Sequence, residues 1–227
     1  MRSKVYPNAD AAVADVPAGA RILFGGFGGA GFPNNLIQAL ERQGASNLTV
    51  VTNNCGSGDG ELGILFKHGR IGSVIASFPG PHARHFQELY AAGKVALELV
   101  PQGILCERLR AAGAGLFGFY SAVGVGTEAA AGHEERVFNG RRAIFYEPIA
   151  GEFAFIKAWK ADELGNLVYR KTARNFNPLM AVAAKTTIVE VDEVVPVGAL
   201  DPEQIVTPFV FVHRIVQAKG IHNVVKA

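Results

Sequence analysis

ARILFGGFGGAGFPNNLIQALERQG, residues 20–44, passes from one periodicity to another across a glycine-rich joint. ARILF is a short apolar run closing on glycine, the pattern of a buried strand. Leu36, Ile37 and Leu40 then recur at helical spacing, with Pro33 near the first turn and Gly44 just past the end, the order expected of a helix. LTVVTNN follows, rich in Val and Thr, and runs into the loop CGSGDGELG. Strand, glycine turn, helix and strand make one βαβ unit, so the sheet begins parallel.

The same rhythm extends outward. Upstream, Asn8 to Val16 predicts a short helix with Asn8 as N-cap, ended by Pro17-Ala18-Gly19. Downstream, SVIASF and ALELV are strand-like and flank a helical segment around PHARHFQELYAAG, after which CERLRAAGAG starts another helix. Beyond Gly126 the pattern changes: RRAIFYEP, FAFIKAWKAD and NLVYRK predict a strand meander with turns at Gly140 and Gly165. Asn177 to Lys185 predicts a helix and TTIVEVDEVV a late strand. The expectation is a single α/β domain over residues 1–227, an open, mostly parallel sheet flanked by helices with an antiparallel excursion.

Composition narrows the function classes. The chain has 227 residues, 49% of them hydrophobic, and 27 glycines, which suits a folded, loop-punctuated protein with ample core. A net charge of +2 without a Lys/Arg block points away from nucleic acid. Cys55 and Cys106 are too few for a disulfide framework and fit a reducing compartment. The opening MRSKVYPNADAAVADV has no apolar signal-peptide core, and the longest uncharged run, Ala111 to Thr127, is interrupted by glycines and too short to span a membrane. A cytoplasmic location without membrane contact is expected.

Gly26-Phe27-Gly28-Gly29-Ala30-Gly31 spells G-x-G-x-x-G, the turn of dinucleotide-binding folds. An NAD-type oxidoreductase also needs an acid at the end of the second strand to hold the ribose hydroxyls. That strand ends in Asn53-Asn54 instead, and Pro33 removes an amide donor where pyrophosphate would sit. A tight turn with close helix packing accounts for two or three of the glycines, but less well for five among the seven residues Gly25–Gly31. A backbone stripped of side chains there admits a bulky ligand or another chain.

Other constellations are weaker. His82 and His85 in PHARH lack a companion ligand cluster, so a solvated helix is expected and no metal. Ser57 and Ser77 lack a nucleophile-elbow context. Cys55 reads by default as a small buried thiol. Arg170, Lys171 and Arg174 suit phosphate, a solvated face or a contact between subunits. Phe117 and Phe119 read first as a core pair and second as pocket lining. By residue type alone, amides such as Asn53, Asn54 and Gln102 read first as turn caps.

GGFGGAGFP after ARILF, then LTVVTNNCG, resembles the entry signature of the family I coenzyme A transferases, specifically their A (α) half. The likeness runs on in order through ELVPQGILCERLRAAGAGL, FYSAVGVGT, KADELGNLVYRKTARNFNP and LDPEQIVTP, nearly the whole chain. It implies a CoA-transferase-like fold and CoA exchange between carboxylic acids, with succinyl-CoA as donor and a 3-oxoacid as acceptor. PGPHARHF after SVIASF is nearer the 3-oxoadipate type than the acetoacetate type, and TPFVFVHRI places Phe209 where relatives carry glycine.

The implied route is covalent. A glutamate attacks acyl-CoA to give a mixed anhydride, CoA thiolate returns to form a glutamyl thioester, and a second acid takes the CoA. That glutamate lies in a Glu-Asn-Gly context on the B (β) subunit; Glu61, Glu107 and Glu147 all lack it. The chain is therefore expected to be half an enzyme, working only with a B subunit, in A2B2 assemblies by family precedent. CoA is a substrate, and no permanently bound cofactor is implied. Gln102 is the candidate oxyanion donor, Asn53 and Asn54 the candidates for orienting carboxylates. Gly25, Gly26, Phe27, Gly28, Gly29, Ala30 and Gly31 form the candidate CoA- or acyl-proximal loop. A non-catalytic acyl-CoA-binding module is the further alternative beside the oxidoreductase.

Overall fold

The computed structural model describes residues 3–218; residues 1–2 and 219–227 of the expected domain lie outside this description. The chain begins α1 (Ala9–Val13), β1 (Arg21–Phe24), α2 (Asn34–Gln43), β2 (Leu48–Thr52) and α3 (Gly63–Lys67). It continues through β3 (Ile71–Ala76), α4 (Arg84–Ala91), β4 (Ala96–Leu99), α5 (Gln102–Gly113) and β5 (Phe119–Ser121). Next come β6 (Glu135–Phe138), β7 (Arg141–Tyr146), β8 (Gly151–Asp162) and β9 (Leu167–Val168). It closes with α6 (Asn177–Val182), β10 (Ala184–Val195) and β11 (Arg214–Gln217).

The main sheet runs β11-β10-β8-β1-β2-β3-β4, every neighbour parallel, with β9 antiparallel on β8. The chain lays β2, β3 and β4 to one side of β1, then returns to lay β8, β10 and β11 on the other. Strand order therefore reverses between β1 and β8. Ligands of open α/β sheets bind beyond the carboxyl ends of the strands at such a reversal. The segment leaving β1 there is Gly25–Gly31.

Both faces of the sheet are covered, which is why its strands are apolar runs rather than alternating ones. Ile22 and Phe24 pack with Leu36 and Leu40 of α2, Val50 and Phe155 on one side. Leu23 joins Val51, Leu105 and Leu109 of α5, Ile156 and Met180 of α6 on the other. Phe24 and Phe155 meet edge-to-face at 5.3 Å between ring centres. Burying one such side chain contributes about 1.5–3 kcal/mol.

Local chemistry sets the element ends. Asn8 caps α1, its Oδ1 accepting from the Ala11 N–H at 2.8 Å, and Gly44 ends α2 in the left-handed region at φ 90°. Pro33 gives α2 no side-chain cap. Fully buried Glu190 of β10 supplies one across the fold, its carboxylate accepting from Asn35 N at 2.7 Å and Leu36 N at 3.3 Å. Lys157 Nζ balances that charge 3.4 Å away and also meets Asp192 at 2.6 Å.

Three expectations are revised. RRAIFYEP does not continue a meander into FAFIKAWKAD: β7 pairs antiparallel with β5 and β6 in a separate small sheet. Pro148, without an N–H, follows β7 where the chain crosses to the main sheet, and the β6–β7 hairpin turns on Asn139-Gly140, both with positive φ. The helix from Asn177 stops at Val182, because Ala184 onward pairs with β8 from Gly151 to Asp162. Finally, α5 starts at Gln102 itself, directly after β4. No helix among the described residues is long and apolar enough to cross a membrane.

Candidate active site

The glycine segment is a small hairpin standing on a buried base. Gly25 N–H bonds to Phe155 O at 3.0 Å, extending β1 along β8. Phe27 and Ala30 then exchange both backbone hydrogen bonds at 3.0 Å, leaving Gly28 and Gly29 at the tip. Gly28 alone of these two has positive φ, 62°, the sign pattern of a type II′ turn. At the base, space demands glycine: a Cβ on Gly25 would lie 1.8 Å from Asn177 Oδ1, and one on Gly31 2.6 Å from Ala173 O. The tip is open. A Cβ on Gly28 meets nothing within 4 Å, and one on Gly29 only Glu61 Oε1 at 3.8 Å. The N–H groups of Gly28 and Gly29 have no hydrogen-bond partner among the described residues.

Two asparagines, which local pattern did not single out, hold this hairpin. Asn175 Oδ1 accepts from Gly26 N at 3.1 Å, and its Nδ2 donates to Ala30 O at 3.1 Å. Fully buried Asn177 donates to Gly31 O at 3.1 Å and accepts from Lys157 N at 2.8 Å. Their partners in the hairpin lie 149 and 146 residues away in sequence, so no window around RNFNP reveals the role.

Asn53, Asn54 and Gln102 come together along the same sheet edge. Asn53 and Asn54 follow β2 and are buried, at 2% and 7% exposure. Asn54 Nδ2 reaches Gly28 O at 3.5 Å and Asn53 Oδ1 at 3.3 Å. Asn53 Nδ2 donates to Ser77 Oγ at 2.8 Å and to Gln102 Oε1 at 3.4 Å. Gln102, exposed at the start of α5, thus has its oxygen engaged while its Nε2 has no partner among the described residues. A line of neutral amides runs from the hairpin to one free donor.

Neighbouring groups are quieter. Burial pushes the Cys55 thiol up to about 12, which keeps it protonated and inert. Glu61 sits in the left-handed region at φ 44°, its Oε2 accepting from Ser57 N at 3.0 Å, and burial raises its carboxyl pKa. His85 is not solvated as expected: it is buried, with Nε2 2.6 Å from Asp59 Oδ1, whereas His82 precedes α4. No group of three or more His, Cys, Asp or Glu among the described residues could hold a metal ion. Arg170 lies over Trp159, and Lys171 and Arg174 are not buried; none of the three pairs with a carboxylate among the described residues.

Phe117 is 93% exposed while Phe119 packs at 5.8 Å on Tyr146, so the two do not form a core pair. Phe209 lies under Lys4 Nζ, 5.3 Å from its ring centre. An open cavity of about 200 Å³, lined by Glu98, Arg108, His133 and Tyr146, adjoins the amide line only at Pro101. Arg108 is already held there by Glu98 at 2.5 Å and Glu147 O at 2.7 Å.

Comparison with known proteins bears on family and fold. The coenzyme A transferase family model matches residues 6–218. The A subunit of 3-oxoadipate CoA-transferase from Pseudomonas putida is 48% identical over 97% of this chain and 96% of its own length. The protein of the same name from Acinetobacter baylyi is 50% identical over 92% of each. The A subunit of a probable succinyl-CoA:3-ketoacid coenzyme A transferase from Bacillus subtilis is 46% identical over 94% of this chain and 89% of its own. Among solved structures, glutaconate coenzyme A-transferase from Acidaminococcus fermentans has the same fold, with a TM-score of 0.83 at 24% identity, over 95% of this chain and 76% of that one. An E. coli O157:H7 acyl-CoA transferase bound as a CoA thioester also gives 0.83 at 23% identity, over 96% of this chain but 47% of that one.

Proposed function

The chain belongs to the coenzyme A transferase family, and from that premise we propose that it is the A half of a succinyl-CoA:3-oxoacid CoA-transferase with 3-oxoadipate as preferred acceptor and acetoacetate next. The observation that carries this is the amide line itself: neutral donors running from the hairpin at the strand reversal to Gln102 beyond β4, with no Glu-Asn-Gly glutamate on the same chain. The names of the relatives support both the substrate class and a separate B partner.

In this account a carboxylate of the B partner attacks the succinyl-CoA carbonyl, and the C–S bond breaks to give a mixed anhydride and CoA thiolate. The thiolate adds to the glutamyl carbonyl, succinate leaves, and an enzyme-CoA thioester remains. The 3-oxoacid carboxylate repeats both steps in reverse, and the glutamate is regenerated. Each addition puts negative charge on a carbonyl oxygen. Gln102 Nε2 is a neutral donor for that oxygen, so it stabilises the charge without neutralising the attacking acid. Asn53 fixes which end of the Gln102 amide faces the reaction, because its Nδ2 engages Oε1.

The hairpin tip offers Gly28 and Gly29 amides to the thioester or the pantetheine chain; Gly25, Gly26 and Gly31, buried beneath it, shape the platform. Phe27, Phe78 and Leu99 stand exposed after β1, after β3 and at the end of β4, an apolar rim suited to the B partner. An A2B2 assembly is the stoichiometry expected.

The test is turnover. Purified alone, the chain is expected to form no 3-oxoacyl-CoA from succinyl-CoA; with its B partner it is expected to do so. Full activity of the lone chain would contradict the division of the site. The oxidoreductase alternative lacks support: β2 ends in buried, hydrogen-bonded amides rather than an acid. A non-catalytic acyl-CoA binder would stay inactive with every partner.

A further inference from the structure

We infer that Asn175 is a positioning residue of the transfer reaction, acting on the acyl thioester through the glycine hairpin; this rests on the CoA-transfer reading above. One side chain touches both legs of the hairpin. Its Oδ1 takes the Gly26 N–H from the ascending leg, and its Nδ2 gives to Ala30 O on the descending leg, each at 3.1 Å.

The same amide is anchored to its own segment. Oδ1 also accepts from Phe176 N at 2.7 Å and Asn177 Nδ2 at 3.3 Å, and Nδ2 also donates to Thr172 O at 2.9 Å. Its orientation is therefore set before any ligand arrives. Without it, the Phe27–Ala30 pair is the one hydrogen-bonded link from leg to leg among the described residues, since Asn177 reaches only Gly31 O, and an exposed two-residue hairpin is marginal by itself. Glycines at the tip add backbone freedom that something else must remove. The unpartnered Gly28 and Gly29 amides are useful to a reacting carbonyl only if they are held still.

Asn177 serves differently. It is fully buried, bonds to β8 through Lys157 N, and fills the space that a Cβ on Gly25 would need, so it belongs to the fold. Asn175 is outside the buried core and can be changed with that core left intact.

The experiment compares wild type with Asn175→Ala, each assembled with the B partner. Expected is a kcat/KM for succinyl-CoA lower by roughly ten- to a hundredfold, with assembly retained and the thermal midpoint lowered only modestly by the lost hydrogen bonds. Faster hydrogen exchange of the Phe27 and Ala30 amides is expected alongside. Should the alanine variant fail to assemble, Asn175→Asp carries the same test, since it keeps the acceptor for Gly26 N–H and sets a charged oxygen against Ala30 O and Thr172 O in place of the donor. A folded, assembled variant whose kcat/KM stays within about twofold of wild type overturns the positioning role. Unchanged exchange at Phe27 and Ala30 overturns the clamp. If the wild-type pair itself moves no CoA, the CoA-transfer reading fails, and the exchange result still reports separately on the clamp.

Discussion

The amide of Gln102 faces two ways: its oxygen is taken by Asn53 Nδ2 at 3.4 Å, and its nitrogen is left to whatever approaches the sheet edge. That asymmetry turns an ordinary side chain at a helix start into an oriented donor. Gln102→Ala in the assembled enzyme is expected to lower the rate of glutamyl-thioester formation about 10²–10³-fold. The residue is exposed, so stability should hardly change; a wild-type rate removes Gln102 from the site. Asp59 supplies a second residue-scale expectation. Lys67, and after it His85, hold its carboxyl down to about 2 from 3.8. A depressed carboxyl adds stability above its unfolded pKa and loses it as pH falls through the folded one. The contribution should therefore fade between about pH 4 and pH 2, and a carboxyl NMR titration of Asp59 centred near its ordinary value of 3.8 would refute the pairing. Gln102, Asn53 and Asn54 were candidates in the sequence because they stand near strand ends and the family resemblance weighed against plain turn caps; the structure brings the three together. Asn175, Asn177 and Glu190 were not, because their partners are brought near only by the finished fold.

The glycine hairpin divides into a packed base and a free tip, and substitutions should divide with it. Gly25→Ala drives a Cβ into Asn177 Oδ1, where it would lie 1.8 Å away. Overpacking of this kind costs about 1–3 kcal/mol or more, so chemical denaturation should show a clear loss of stability. Gly29 has neither a positive φ nor a crowded Cβ position. Gly29→Ala should keep the stability of wild type while weakening acyl-CoA use, read as a raised KM. Equal behaviour of the two variants would refute the division. The first βαβ unit was legible because strand, glycine, helix and caps agree locally. The small sheet was not. Every residue of β6 is exposed, so ERVF carries no burial pattern, and the fate of RRAIFYEP depends on β5, far upstream. Gln102 as a helix start was also hidden, since Pro101 looks like the end of a strand and equally suits the residue before a helix.

Across the whole molecule, parallel strands laid first to one side of β1 and then to the other put the glycine hairpin at the strand reversal. The side-chain-free backbone already suggested that a ligand or another chain approaches Gly25–Gly31, and the reversal itself appeared only once β8 was found beside β1. In the proposed division of the site, what the chain brings to that crevice is hydrogen-bond donors without charge, and the attacking acid belongs to its partner. The most direct measurement is covalent trapping. The assembled enzyme is incubated with succinyl-CoA, treated with borohydride or hydroxylamine, and mapped peptide by peptide. A single modified glutamate on the B partner, with this chain unmodified, is the predicted result. A modified carboxylate anywhere within these 227 residues would contradict it.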